Sequence, residues 1–106
     1  MWKINSGSLT GTTTASYTAA LDWPVAELGQ KTIVLKNTHA SLSLKYKLTA
    51  SAAEGGAAKE LVNETVLLPG EIAEFHYSRQ WHRLVLYVTD GSGHAAYSID
   101  YEGQGA

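Results

Sequence analysis

The sequence predicts an all-β domain: an immunoglobulin-like sandwich of about seven antiparallel strands carrying an extended N-terminal arm. Three observations predict it. Short runs rich in β-branched and aromatic residues recur between turn residues at spacings of about 8–12. Apolar side chains alternate within those runs with period two, and outside residues 50–59 no stretch repeats them at helical period. A chain of 106 residues holds one core, and a 44% hydrophobic composition supplies enough apolar material to fill it.

Residues 1–14 include the run Ser6-Gly7-Ser8-Leu9-Thr10-Gly11-Thr12-Thr13-Thr14. With few apolar anchors and many hydroxyls, it reads as an arm that is ordered only if something holds it. Residues 15–106 form the sandwich. Its first strand covers 15–22, with Tyr17, Ala19 and Leu21 on one face, and stops at Trp23-Pro24, where proline removes a ladder donor. Residues 31–38 contain Thr32-Ile33-Val34-Leu35, the continuous apolar run of a central strand. Residues 42–51 alternate cleanly: Leu42, Leu44, Tyr46 and Leu48 face the core, and Ser43, Lys45, Lys47 and Thr49 face water. Residues 50–59 include adjacent glycines, which cost a helix about 1 kcal/mol each, so a loop is expected there.

Strands at 61–68 and 71–78 flank Pro69-Gly70. That pair suits a type II turn, whose twist fits a passage between sheets better than a flat hairpin. The last strands, 82–90 and 94–102, are joined by Gly91-Ser92-Gly93, a loop of hairpin length, and are expected to pair with each other as a hairpin. Leu84, Leu86 and Val88 form the core face of one, and Tyr97, Ile99 and Tyr101 that of the other.

Composition removes several function classes. There is no cysteine, which excludes disulfides, zinc-thiolate sites, iron–sulfur clusters and thiol nucleophiles. The net charge is −2 and is spread along the chain, which argues against sequence-independent nucleic-acid binding. No apolar run approaches the roughly 18–20 residues of a membrane helix. The opening Met-Trp-Lys-Ile-Asn-Ser-Gly lacks the n-region and h-region of a secretory signal, so the chain is expected to be made and folded in the cytoplasm.

Four histidines, His39, His76, His82 and His94, are the candidates for acid–base work near neutral pH. His76 and His82 flank a turn at 78–80 and could approach across a hairpin. A metal site would then need a third ligand, Glu74 or His94, and no His-Glu-x-x-His spacing supports one. No serine stands in a Gly-x-Ser-x-Gly elbow. Glu71 and Glu74 fall on opposite faces of a strand, and Asp90-Gly91-Ser92-Gly93 lacks the lysine of a phosphate loop. The expectation is a protein that is no enzyme and carries no cofactor or metal.

The aromatics carry what recognition signal there is. Tyr46, Tyr97 and Tyr101 fall in register with aliphatic neighbours and read as core. Trp81, in the turn-like stretch Ser78-Arg79-Gln80-Trp81, and Trp23, before a proline, are candidates for contact with a partner protein or a sugar ring. The alternative is that both close the ends of the core.

The run Thr32-Ile33-Val34-Leu35-Lys36-Asn37-Thr38, then Leu42-Ser43-Leu44-Lys45-Tyr46-Lys47-Leu48, then Leu67-Leu68-Pro69-Gly70-Glu71, resembles a pattern of small immunoglobulin-like structural proteins of tailed bacteriophages. Bacterial extracellular modules share similar strings. The polar arm and the absence of an export signal favour the phage type, a head-decoration or other virion protein. The resemblance implies a non-catalytic, homo-oligomeric protein that binds a repeating capsid or tail lattice. It transfers no site residue. The residues expected to make such contacts are Trp2, Ile4, Leu9 and Thr12 on the arm, with Trp23 and Trp81 on the body. An arm lacing onto a neighbour would gain from many weak contacts at once. On this reading a chain lacking residues 1–14 would stay folded and lose only assembly. The rival is a carbohydrate-binding module in which Trp81, Tyr77 and Trp23 stack on sugars.

Overall fold

Seven strands form where the β-rich runs lie, and an eighth forms where the sequence shows almost no apolar signal. In the computed structural model, which describes residues 4–53, 56–78, 81–91 and 93–105, the strands are β1 (Ile4–Thr12), β2 (Thr18–Pro24), β3 (Gln30–Asn37) and β4 (Leu44–Ser51), followed by β5 (Lys59–Leu67), β6 (Ile72–Tyr77), β7 (Arg83–Asp90) and β8 (Ala96–Gln104). They make two four-stranded antiparallel sheets, β1-β8-β3-β6 (sheet A) and β2-β7-β4-β5 (sheet B).

The all-β sandwich expected from the sequence is what forms. Its strand order is that of a jelly roll, not of an immunoglobulin domain, because the chain changes sheet at every connection except the β4–β5 hairpin. The difference is clearest at the last connection. The loop at 91–93 has hairpin length, yet β7 pairs with β2 and β4 while β8 pairs with β1 and β3. The chain therefore crosses the sandwich at this point. The crossing is held by Thr13, whose hydroxyl donates to Asp90 and accepts from the Ala95 N–H at 2.8 Å. The turn at 68–71 also passes between sheets, as its sequence predicts, with Gly70 at φ 79° and the Glu71 N–H donating to the Leu68 carbonyl at 3.0 Å.

The core lies between the inward faces. Leu35, Leu44, Leu48, Leu84, Leu86, Val88 and Ile99 are fully buried, each contributing roughly 1.5–3 kcal/mol relative to exposure. Strand β2 departs from the expected pattern. A bulge between Ala19 and Leu21 breaks its phase, so Ala19 pairs with Tyr87 on the outer face and Leu21 pairs with Leu86 on the inner. The strand also continues through Pro24, which an edge position tolerates. Trp23 therefore follows Leu21 inward and is buried.

The segment expected as an arm is, from Ile4 to Thr12, an edge strand. It pairs with β8 in one unbroken register from Ile4↔Gln104 to Thr12↔Ala96. What holds it is the same chain. Gly7 stands opposite Tyr101 and Gly11 opposite Tyr97, and both rings lie across the bare glycine backbone. A Cβ at either glycine would come within 2.5 Å of the tyrosine hydroxyl. Trp23 meets Tyr101 edge-on at 4.9 Å between ring centroids and donates from Nε1 to the Asn5 side-chain oxygen at 3.1 Å, tying β1 to the opposite sheet.

Valine at Gly7 or Gly11 is expected to lower stability by about 1–3 kcal/mol, the usual cost of overpacking, read as a lower thermal midpoint; an unchanged midpoint would show that the rings do not need the bare backbone. Deleting residues 1–14 is likewise expected to lower the midpoint, because it strips the cover from Tyr97 and Tyr101.

Candidate functional site

The two broad faces of the sandwich are largely satisfied by their own side chains. On sheet A, alternation turns Ser6, Ser8, Thr10 and Thr12 outward with Ser98, Asp100 and Glu102 beside them and Thr32 and Val34 on β3. The Ser8 hydroxyl donates to Asp100 at 2.6 Å, and a cavity of about 420 Å³ is lined by Ser6, Ser8, Thr32, Val34, Asp100 and Glu102. On sheet B, Lys47 Nζ lies 4.5 Å from the Tyr17 ring centroid and 5.5 Å from that of Tyr87. The Tyr17 hydroxyl donates to Glu64, and Arg83 bonds both carboxylate oxygens of Asp22 at 2.9 and 3.1 Å.

The histidines are spoken for individually. His39 Nδ1 accepts the N–H groups of Ser41 and Leu42, both at 3.0 Å, so its proton sits on Nε2. His94 Nδ1 faces the Thr13 carbonyl and an Asp90 carboxylate oxygen, each at 3.0 Å, and so carries a proton. His76 lies beside Thr32 and Glu74 on the outer face of β6. His82 sits on the bend before β7, where its backbone bonds Ser51 and Val25. The proposed approach of His76 and His82 across a hairpin is corrected: β6 and β7 belong to different sheets. Residues 79–80 of that turn lie outside the described residues. Among the described residues no group of three or more His, Cys, Asp or Glu could hold a metal ion.

The expected contact residues divide sharply. Trp2 lies outside the described residues. Trp23 and Trp81 are 3% and 8% exposed, so they close the core and offer no ring face to a partner or a sugar. Tyr77 is half-buried at the end of β6 against the core. Ile4, Leu9 and Thr12 remain on the surface, on β1.

What the structure leaves open lies at the two lateral margins. Among the described residues, the exposed large apolar side chains are Ile4 and Leu9 on the β1 edge, and Val66, Leu68 and Ile72 around the β5–β6 corner. Sequence reading missed that second group, although Val66 and Ile72 follow directly from alternation once Leu67 and Ala73 are placed inward. The corner is positioned by Asn37, fully buried at the end of β3. Its side-chain amide donates to the carbonyls of Leu42 and Leu67 at 2.8 and 3.1 Å, its side-chain oxygen accepts the His39 N–H at 3.0 Å, and its carbonyl accepts from Gly70 at 2.9 Å.

The β1 margin has a definite hydrogen-bonding direction. The Thr13 N–H donates to the Ala95 carbonyl at 2.9 Å, so odd-numbered residues of β1 point their backbone groups toward β8. Ile4, Ser6, Ser8, Thr10 and Thr12 point theirs the other way, where among the described residues no strand lies.

No protein-family model matches the sequence, and no curated protein does. Solved structures share the fold. PirA superposes with a TM-score of 0.66 at 16% identity, over 89% of this chain and 92% of that one. A pilus protein from Bacillus endospore appendages, described as disulfide-linked, gives 0.58 at 12% identity over 99% and 89%. The SPBc2 prophage-derived protein YomS gives 0.56 at 14% identity over 94% and 95%. At these identities the likeness shows the two-sheet β architecture.

Burial raises the Tyr97 and Tyr77 hydroxyls above their ordinary value of about 10; burial, followed by the Glu64 bond, raises Tyr17. Burial lowers the Lys31 ammonium, which donates to the Leu28 and Gly29 carbonyls at 2.9 and 3.0 Å. For the tyrosines the folded chain keeps protons that the unfolded chain releases, so stability falls as pH rises above about 10; Lys31 acts oppositely just below its ordinary value. The phenolate signals of Tyr17, Tyr77 and Tyr97 are expected to lag the free tyrosine curve and to coincide with alkaline unfolding. Titration of these three near pH 10 with the fold intact, resolved by single Tyr→Phe variants, would contradict this.

Proposed function

We propose that the protein is a non-catalytic structural protein that works by attachment. In this reading it is a virion component of head-decoration or tail-associated type, made in the host cytoplasm, with many copies bound to a repeating capsid or tail protein and to one another. The observation that carries the reading is the placement of the exposed large apolar side chains on opposite margins of the sandwich, Ile4 and Leu9 on one and Val66, Leu68 and Ile72 on the other. A subunit in a repeating array needs separate contact regions facing in different directions. Modest apolar margins suit attachment whose strength comes from repetition.

The fold is compatible with such work, since a prophage-derived protein and a pilus protein share it. This chain has no cysteine, so the disulfide linkage named for the endospore pili is closed to it. The contact region on β1 is a paired strand, which replaces the picture of a loose arm reaching onto a neighbour. Of the three stacking residues of the carbohydrate reading, Trp23 and Trp81 are buried and Tyr77 is half-buried, which weighs against it.

Particles released by cells carrying the gene, purified and analysed by mass spectrometry and immunogold electron microscopy, are expected to carry the protein in many copies. Val66→Asp combined with Ile72→Asp is expected to cut that occupancy by about tenfold or more, since each replaces an apolar contact with a charge. Recovery of the wild-type protein only away from particles would overturn the reading.

A further inference from the structure

The sandwich has four edge strands, β1 and β6 in sheet A and β2 and β5 in sheet B, and three of them carry the features that keep sheet edges apart. Strand β2 has a bulge, Asp22 and Pro24. Strand β5 has irregular register and carries Lys59, Glu60 and Glu64. Strand β6 is only six residues long and carries Glu74 and His76. Strand β1 has none of these: nine residues, unbroken register, no charge and no proline. Its outward N–H and C=O groups, on Ile4, Ser6, Ser8, Thr10 and Thr12, form an open template.

We propose that β1 is a self-pairing edge, where two copies of this chain join antiparallel, β1 to β1, about a two-fold axis at Leu9, so that sheet A runs continuously through both. This names the self-contact of the assembly reading and rests on it for its purpose. The strand is self-complementary in that register. Ser8 of one copy stands opposite Thr10 of the other, and Ser6 opposite Thr12. These are the even-numbered residues whose backbone groups face outward, so they become the hydrogen-bonded pairs, giving about eight new ladder bonds.

Leu9 meets Leu9 in a non-hydrogen-bonded pair, where side chains come closest. This covers a leucine that is 37% exposed in the single chain. Gly7 faces Gly11, leaving room at the junction for the tyrosine rings that lie over both glycines. An identical strand brings no like charge to the edge, whereas two copies of β5 would bring their charged residues together. One strand pair falls short of the roughly 1,200–2,000 Å² of a stable interface. The dimer should therefore be weak and concentration-dependent, and should gain from repetition in an array.

The test is sedimentation velocity on the full chain from about 10 μM to about 1 mM. The expected result is a rise from monomer toward dimer mass. Ser8→Pro removes an N–H that points away from β8, so it spares the β1–β8 ladder and blocks the partner; it should sediment as a monomer throughout, with a thermal midpoint lowered only by the loss of the exposed Ser8–Asp100 hydrogen bond. Thr10→Lys keeps every backbone group and adds the missing charge, and it decides the matter if Ser8→Pro does not fold. Wild type that stays monomeric at about 1 mM, or a folded Thr10→Lys that still reaches dimer mass, would overturn the inference. Copies on particles from a chain that is monomeric in solution would sink the edge pairing alone. A β1 dimer absent from all particles would sink the lattice reading alone.

Discussion

The constraint on which the rest of the structure depends is the bare backbone at Gly7 and Gly11. Tyr101 and Tyr97 stand opposite them on β8 and must lay their rings somewhere. With no Cβ in the way, the rings lie across β1, and the strand becomes their cover. That contact converts a hydroxyl-rich segment with little apolar area of its own into the eighth strand. It completes sheet A, carries Asn5 to Trp23 in the other sheet, and brings Thr13 to Asp90 and Ala95, where the chain crosses between β7 and β8. The open edge exists because this pairing places β1 at the margin of sheet A.

Alternation made most of the fold legible. Strand β4 follows the period-two pattern residue by residue and β7 follows it from Arg83 to Val88, and the inward series Leu44, Tyr46, Leu48 and Leu84, Leu86, Val88 is buried as the pattern requires. Strand β1 was hidden because its stabilisation lies in another strand's side chains. The signal was present as matched spacing: two glycines four apart, and two tyrosines four apart that run antiparallel to them. Connectivity was not legible, because a short glycine-rich loop fits both a hairpin and a crossing between sheets. Side-chain hydrogen bonds from Thr13 and His94 to Asp90, contacts more than 70 residues apart in the first case, accompany the crossing.

The tryptophans show how a boundary error turns into a functional one. Ending β2 at Asp22 leaves Trp23 in a loop, where a large aromatic reads as a contact residue. Carrying the strand through Pro24 puts Trp23 two positions after Leu21 and therefore inside. Proline argues against a central strand and says little against an edge. With Trp23 and Trp81 in the core, the candidate surface moves from the ends of the sandwich to its sides.

That shift bears on how such a protein can act. Aromatic anchors at loop ends would favour one tight partner, since hot-spot contacts concentrate energy in a few residues. The sides of this sandwich offer something different: backbone groups in a row on β1 and a small apolar corner held in place by Asn37 around the β5–β6 turn. Neither is large enough to hold a partner strongly alone. They face opposite ways from one rigid body, so occupying one leaves the other free, and binding at both raises the effective concentration at each. Weak, directional and repeated contacts are what the attachment proposed above would require of these two margins.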